Sequence, residues 1–450
     1  MTLLEQAERV LDQARDDEEI EVYVSNGVDT DVQAYQGEVE KLSSASTSGV
    51  GIRVLLDGPG GARVGSAWAG SLDESTVADA LRDARDNARF ATEDEYVAFA
   101  RPDGVAPVNQ RLLDESVAST PLDDKIAMAI DLERLVRNGD PRIRQVDAAY
   151  YSDYVVEAAM LSTVGVRATY ARSGAYVSVE AIASDGAADQ TGTGLSAGRS
   201  PQDLDITVAA ADAVRRATRM LGATRPTTQR TTVVFDPRGT ATFLALIGRS
   251  LSGDEVVRGR SFFADRLGET VAAASFTLVD DPTDPRHFSA SVYDGEGLAC
   301  RRNVLIDAGR LDAFVYDTVS ARRASTKSTG SAVRGGIAGS PSAGCRALQL
   351  APGPLSQAEI LTQVGEGIYV ESMIGVHSGV NPVSGDFSVG ITGLMIRDGQ
   401  LAEPVRGATV ASTLQRMLLD TCFIGGDVEW LPGTAAGQTV AIEGIALSGA

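Results

Sequence analysis

Residues 223–230 (ATRPTTQR) separate two stretches of this chain with different hydrophobic periods, and that change limits the folds open to it. Upstream, apolar residues recur at helical spacing in four segments and alternate with polar ones in between. Downstream, short strand-like runs follow one another with glycine turns between them. A polar, proline-bearing connector at such a change has the character of a domain boundary. The pattern therefore predicts an α+β protein. Residues 1–224 form an N-terminal α/β domain with an antiparallel sheet and helices, and residues 231–450 form a mainly β C-terminal domain.

The spacing predicts a first helix over 3–15, with Leu4, Ala7, Val10, Leu11 and Ala14 on one face. Ile20, Val22 and Val24 alternate with polar neighbours as a half-buried strand, and extended runs follow over 31–36 and 48–56. The DGPGG turn at 57–61 precedes a run over 64–68, and a capped helix is predicted over 73–90. Residues 95–120 are irregular and proline-bounded, a helix covers 122–138, and about three strands fall between 142 and 183. The echo of SGVGIRV (48–54) in STVGVRA (162–168) hints at paired sheet halves. Pro201 opens a further helix to about residue 221. Beyond the boundary come a strand over 231–235 and a short helix over 243–251. Strand-like runs follow over 275–279, 288–293, 303–306, 311–316, 367–375, 387–396 and 438–447.

Charge and composition exclude several classes. Lys and Arg number 40 against 61 Asp and Glu, a net charge of −21, and such a field repels phosphate backbones, so nucleic acid is not an expected partner. Arg215, Arg216, Arg219, Arg225 and Arg230 are a local exception, read as the solvated face and last turn of a helix. No run approaches the ~18 apolar residues of a membrane helix, and the acidic N-terminus is unlike a signal peptide. A cytoplasmic location is expected, and the three dispersed cysteines suit a reducing compartment.

Few residues offer catalytic chemistry. A zinc site needs about four converging donors, and His287 and His377 are ninety residues apart. Cys300, Cys345 and Cys422 show no ligand spacing. The Ser325–Gly330 segment (STKSTG) brings hydroxyls near Lys327 but lacks phosphate-loop spacing, so a structural loop is the expected reading. In GVNPVSGDFS at 379–388, Asn381-Pro382 and Ser384-Gly385 are turn chemistry leading into a strand, with Asp386 placed to cap backbone amides.

Read together with LALIGRSLSGD at 244–254, that segment is similar to the TldD/TldE (PmbA) family. The resemblance extends through QAYQGEVE at 33–40, GVGIRV at 49–54, RGRSFFADRLGE at 258–269 and YDGEG at 293–297. It continues through NVLIDAGRL at 303–311, STKSTGSAVR at 325–334 and IRDGQLAEPV at 396–405. TldD-type members carry a His-Glu-x-x-x-His zinc motif where this chain has Leu244, Ala245 and Arg249, so the resemblance is to the TldE (PmbA) side. None of the three residues can replace a ligand or base: Leu and Ala offer no donor and Arg is a fixed cation. Zinc-bearing relatives draw a further ligand from a C-terminal cysteine, and Cys422 could be mistaken for its remnant, but among its apolar neighbours a buried structural thiol explains it adequately.

The resemblance implies a cofactor-free subunit of a cytoplasmic peptidase complex, in which a TldD-type partner brings zinc and the catalytic glutamate. Together they would enclose a chamber for unfolded or modified peptides. It places Asn381, Gly385, Asp386, Phe387 and Ser388 beside a peptide groove. The gyrase-modulator label attached to the family gains no support from the acidic charge. Two other readings stand beside this one. The chain is then a stand-alone peptidase with a non-zinc centre, or a non-enzymatic peptide-binding or assembly module, homodimeric when alone.

Overall fold

The alternation that begins at Ile20 runs further than its apolar pattern indicates. In the computed structural model, which describes residues 1–449, α1 (Leu3–Leu11) precedes β1 (Glu18–Tyr35), β2 (Glu38–Gly58), β3 (Gly61–Ala69) and α2 (Glu74–Phe90). Strand β1 thus merges the expected strand at Ile20 with the run at 31–36. At its end Gln36 and Gly37 both take positive φ (55° and 82°), the geometry of a tight hairpin turn. The Glu133 carboxylate pins that turn by accepting the amides of Gln36 and Gly37 at 2.8 Å each.

A second set of elements repeats the first. The short α3 (Ser116–Ser119) leads to α4 (Leu122–Gly139), β4 (Ile143–Ser162), β5 (Arg167–Ser184), β6 (Asp189–Gly198) and α5 (Ile206–Arg219). All six strands form one antiparallel sheet in the order β3-β2-β1-β4-β5-β6. Two helix–three strands–helix units therefore meet at the β1–β4 pairing. Each unit seats its last helix on its edge strand through glycine. A Cβ at Gly65 would collide with the backbone of Ala88 in α2, and one at Gly192 or Gly194 with the backbone of α5. Paired sheet halves are present, but the sequence echo does not mark them, because 48–54 lies within β2 whereas 162–168 spans the β4–β5 turn.

The C-terminal region contains β7 (Gln229–Phe235), α6 (Pro237–Ser250), α7 (Gly253–Val257), β8 (Leu278–Asp280), β9 (Asn303–Asp307) and β10 (Arg310–Leu311). Next come α8 (Thr318–Arg323), β11 (Ala332–Val333), β12 (Ser342–Ala343), β13 (Leu348–Leu350), α9 (Gln357–Val364) and β14 (Gly367–Ile374). The chain ends with α10 (Val376–Gly379), β15 (Asp386–Arg397), β16 (Gln400–Thr413), α11 (Leu414–Leu419), β17 (Thr421–Ile424) and β18 (Val440–Ser448). The main sheet runs β16-β15-β14-β7-β18-β17, and β16 also pairs with β18, closing a barrel. Phe235, Phe243, Leu244, Phe387 and Ile442 belong to its buried core.

Several expectations shift. Helix α1 stops at Leu11 rather than 15, and α5 starts at Ile206. Pro201 opens only a 3-10 turn, after which Asp205 caps the helix proper. Residues 288–293 form no strand, and only Arg310–Leu311 of the run near 311–316 is extended. The arginine run is solvated only in part. Arg215, Arg225 and Arg230 are exposed, but Arg216 donates to Asp212 (3.0 Å) and Asp236 (2.9 Å), and Arg219 to Glu371 (2.7 Å). These bonds latch α5 to the barrel at β7 and β14.

Candidate functional site

Helix α6 begins where Asp236 accepts the Gly239 amide (2.7 Å) and Pro237 occupies the first turn. Its inner face places Phe243, Leu244 and Ile247 in the core, with Leu244 fully buried. Ala245 and Arg249, four residues apart, face the other way and line a cleft of about 210 Å³ with Gly248, Ser252, Glu255 and Cys345. The three positions singled out in the sequence are thus not brought together. Two share the cleft and Leu244 is turned into the barrel.

The donor set of this cleft does not fit zinc. Burial pushes the Cys345 thiol well above its ordinary range, and its sulfur sits 3.5 Å from the Gly248 carbonyl as a donor. Among the described residues no group of three His, Cys, Asp or Glu is placed to hold a metal ion. Cys422 packs in a separate cluster with Val234 and Ile360, and burial raises its thiol to about 11. His287 stacks edge-on against Trp430 and is lowered to about 4 by burial, whereas His377 is exposed on α10.

The 379–388 segment lies at the end of α6, where Ser250 Oγ donates to the Pro382 carbonyl (3.4 Å). Asn381, not Asp386, caps its turn by accepting the amides of Val383 (2.9 Å) and Ser384 (3.2 Å). Asp386 instead receives the Ser384 hydroxyl (2.6 Å). Gly385 takes φ 80° and packs on the Gln415 carboxamide, which a Cβ would strike. Asn381, Asp386 and Ser388 are exposed, while Phe387 is buried in the barrel core. In the Ser325–Gly330 loop, Lys327 is exposed and Ser328 and Thr329 hydroxyls hold the Tyr316 carbonyl, at 3.2 Å each.

A second constellation lies between the sheet and the C-terminal region, and the sequence motifs containing it were read only for their resemblance. Glu21 of β1 is buried between Arg53 (3.1 Å) and Arg334. Burial alone would raise its carboxyl, but the two guanidinium groups outweigh this and hold it below its ordinary range. In YDGEG, burial lifts Asp294 to about 6. Burial, then the neighbouring Asp294 and Asp317, lifts Glu296 to about 8. A pocket of about 240 Å³ adjoins these groups, lined among others by Tyr23, Tyr170, Arg172, Asp294, Arg334 and Arg346. Two acids in one glycine-rich run were the available sequence signal.

Known proteins share this order of domains. Residues 20–88, 115–221 and 228–449 match, in order, domain 1, the central domain and the C-terminal domain of the PmbA/TldA metallopeptidases. Metalloprotease PmbA of Escherichia coli O157:H7 is 27% identical over 420 residues, covering 91% of this chain and 88% of that protein. The metalloprotease PmbA homolog of Haemophilus influenzae is 24% identical over 415 residues, covering 91% and 88%. The crystal structure of TldE from Thermococcus kodakarensis has a TM-score of 0.88 at 21% identity, covering 99% of each chain, a likeness of fold.

Proposed function

The chain belongs to the PmbA/TldD metallopeptidase family, and from that premise we propose that it is a TldE-type subunit without its own metal. It works with a TldD-type partner that supplies zinc, the zinc ligands and the catalytic glutamate. The observation that carries this reading is the face of α6. Where zinc-bearing relatives place ligands and base, this chain turns Leu244 into the core and presents Ala245 and an arginine to the cleft. A fixed guanidinium disfavours a cation there.

The substrates are unfolded or modified peptides. Extended peptides can be held by backbone pairing along strand edges, which tolerates varied sequence. Residues 379–388 contribute through exposed Asn381, Asp386 and Ser388, with Gly385 and Phe387 supporting the loop from within. Among the described residues no helix is long and apolar enough to cross a membrane, and the proposed location is the cytoplasm, where three free cysteines would stay reduced.

The test is hydrolysis of a denatured model peptide by the chain alone, by a zinc-loaded TldD-type protein alone, and by the mixture. Activity only in the mixture, or raised strongly in it, is expected. Equal activity of this chain with and without the partner sinks the reading.

A further inference from the structure

The pocket between the sheet and the C-terminal region carries more positive charge than its surroundings answer. Arg334, whose side chain is only 5% exposed, is matched by Glu21. Arg172 and Arg346 have no carboxylate within ion-pair distance among the described residues. The Arg346 guanidinium donates only to the Ala332 carbonyl, at 3.3 Å, while its backbone amide donates to Asp280 at 2.8 Å. The Arg172 guanidinium makes no hydrogen bond to the protein, and its Nε is buried without a partner. Both groups are half-buried, and Arg346 has the Asp294 and Asp280 carboxylates within electrostatic reach, so the two guanidinium groups leave donors that a small anion entering the pocket would satisfy.

The other walls define what that anion is. Asp294 already accepts the amides of Glu296 (2.9 Å), Leu298 (2.9 Å) and Ala332 (3.1 Å), so its oxygens are committed to the backbone. The Tyr23 and Tyr170 hydroxyls lie 3.0 Å apart. One donates to the other, which leaves one hydroxyl hydrogen free for an outside acceptor. At about 240 Å³ the cavity is below the roughly 300–1,000 Å³ of common small-molecule sites, so it suits a single small group. Guanidinium forks match planar or tetrahedral oxyanions through paired N–H donors.

We propose that this junction pocket is a small-oxyanion site, in which Arg172 and Arg346 clamp a carboxylate or phosphate and the Tyr23–Tyr170 pair supplies a further donor. The oxyanion is either the terminal carboxylate of a bound peptide or free inorganic phosphate. The site does not depend on which subunit carries out hydrolysis.

Calorimetric titration of the full chain, with no partner and no zinc, tests it with three probes. These are inorganic phosphate, an N-acetylated tripeptide with a free C-terminus, and the same peptide amidated. At least one of the first two is expected to bind, and Arg172→Gln and Arg346→Gln should each weaken it about tenfold or more. Loss of binding on amidation identifies the peptide end as the source, whereas binding of phosphate alone identifies the free anion. Arg172→Gln should melt close to the parent, because Arg172 leaves behind no hydrogen-bond or ion-pair partner, only the Tyr154 ring 5.9 Å from its guanidinium carbon. The proposal is overturned if the parent protein binds neither oxyanion up to about 10 mM. Undiminished binding by Arg172→Gln overturns it equally. Because neither result involves peptide hydrolysis, failure here leaves the proposed subunit role standing, and failure of that role leaves this site standing.

Discussion

The cleft over α6 and the junction pocket are nearly equal in size, about 210 and 240 Å³, yet opposite in content. The cleft lies on the helix where the family keeps its metal motif, and this chain furnishes it with Ala245, Gly248 and an exposed Arg249. The pocket takes Asp294 and Arg334 from motifs read only for their resemblance, and five separate segments deliver its tyrosines, arginines and buried acid. A family scaffold can therefore persist where its chemistry has gone, while charge collects where only the packing of one region on another brings it together.

The largest expected effect tests whether the charges beside the pocket are structural. Glu21→Gln leaves Arg53 and Arg334 buried without their carboxylate and should cost about 3–5 kcal/mol in denaturant unfolding. Arg172→Gln should cost under ~1 kcal/mol, because the side chain has no hydrogen-bond or ion-pair partner and only the Tyr154 ring beside it. Similar losses for both would erase the distinction between framework and free arginines.

On the cleft side, Leu244→His puts an imidazole into the barrel core and should destabilise by about 2–5 kcal/mol. Ala245→His with Arg249→His, on one helix face, should leave stability within about 1 kcal/mol and yield weak zinc binding by calorimetry. Zinc affinity that depends on a histidine at 244 would mean the helix is turned differently.

The smallest effect is a pH dependence. Glu296 titrates at about 8 when folded, above its ordinary carboxyl value, because burial and the neighbouring Asp294 and Asp317 oppose its charge. Its favourable contribution is therefore complete below about pH 4.5 and is lost as pH rises through about 8. Glu296→Gln cannot ionise, so it should match the parent near pH 5 and exceed it by about 1–3 kcal/mol near pH 9. Parallel stability curves from pH 5 to 9 would show that Glu296 is already charged.

Much of the fold could be read locally. The helices over 74–90 and 122–139 and the strands at 229–235, 367–374 and 386–397 lie close to their expected places, since each carries its own helical spacing or apolar strand run. Neither helix has a side-chain cap at its start, the expected one at Asp73 included. Strand β1 was read as two pieces because residues 25–30 lack a continuous buried face, and the strand is held there by pairing with β2 and β4 on both sides. Strand β16 was missed because Pro404 and Gly407 break its pattern, although its neighbours β15 and β18 hold it in the barrel. At the site, the family resemblance placed Phe387 beside a groove, and strand alternation turns its side chain into the barrel core.

What the sequence determined by itself was what depends on residue type and near neighbours. This includes the acidic field, the missing His-Glu-x-x-x-His, the period change near 223–230, and family membership through ordered motifs. Only the tertiary structure decided which way each residue faces and what meets it. It turned Leu244 inward and Ala245 outward on one helix, gave Arg216 and Arg219 to a latch, and set Arg172 and Arg346 in the wall of one pocket. The reason is physical: helix and strand periods fix relative facing within one element. The charge balance of a buried junction is instead set by packing between segments far apart in the chain, which no local pattern encodes.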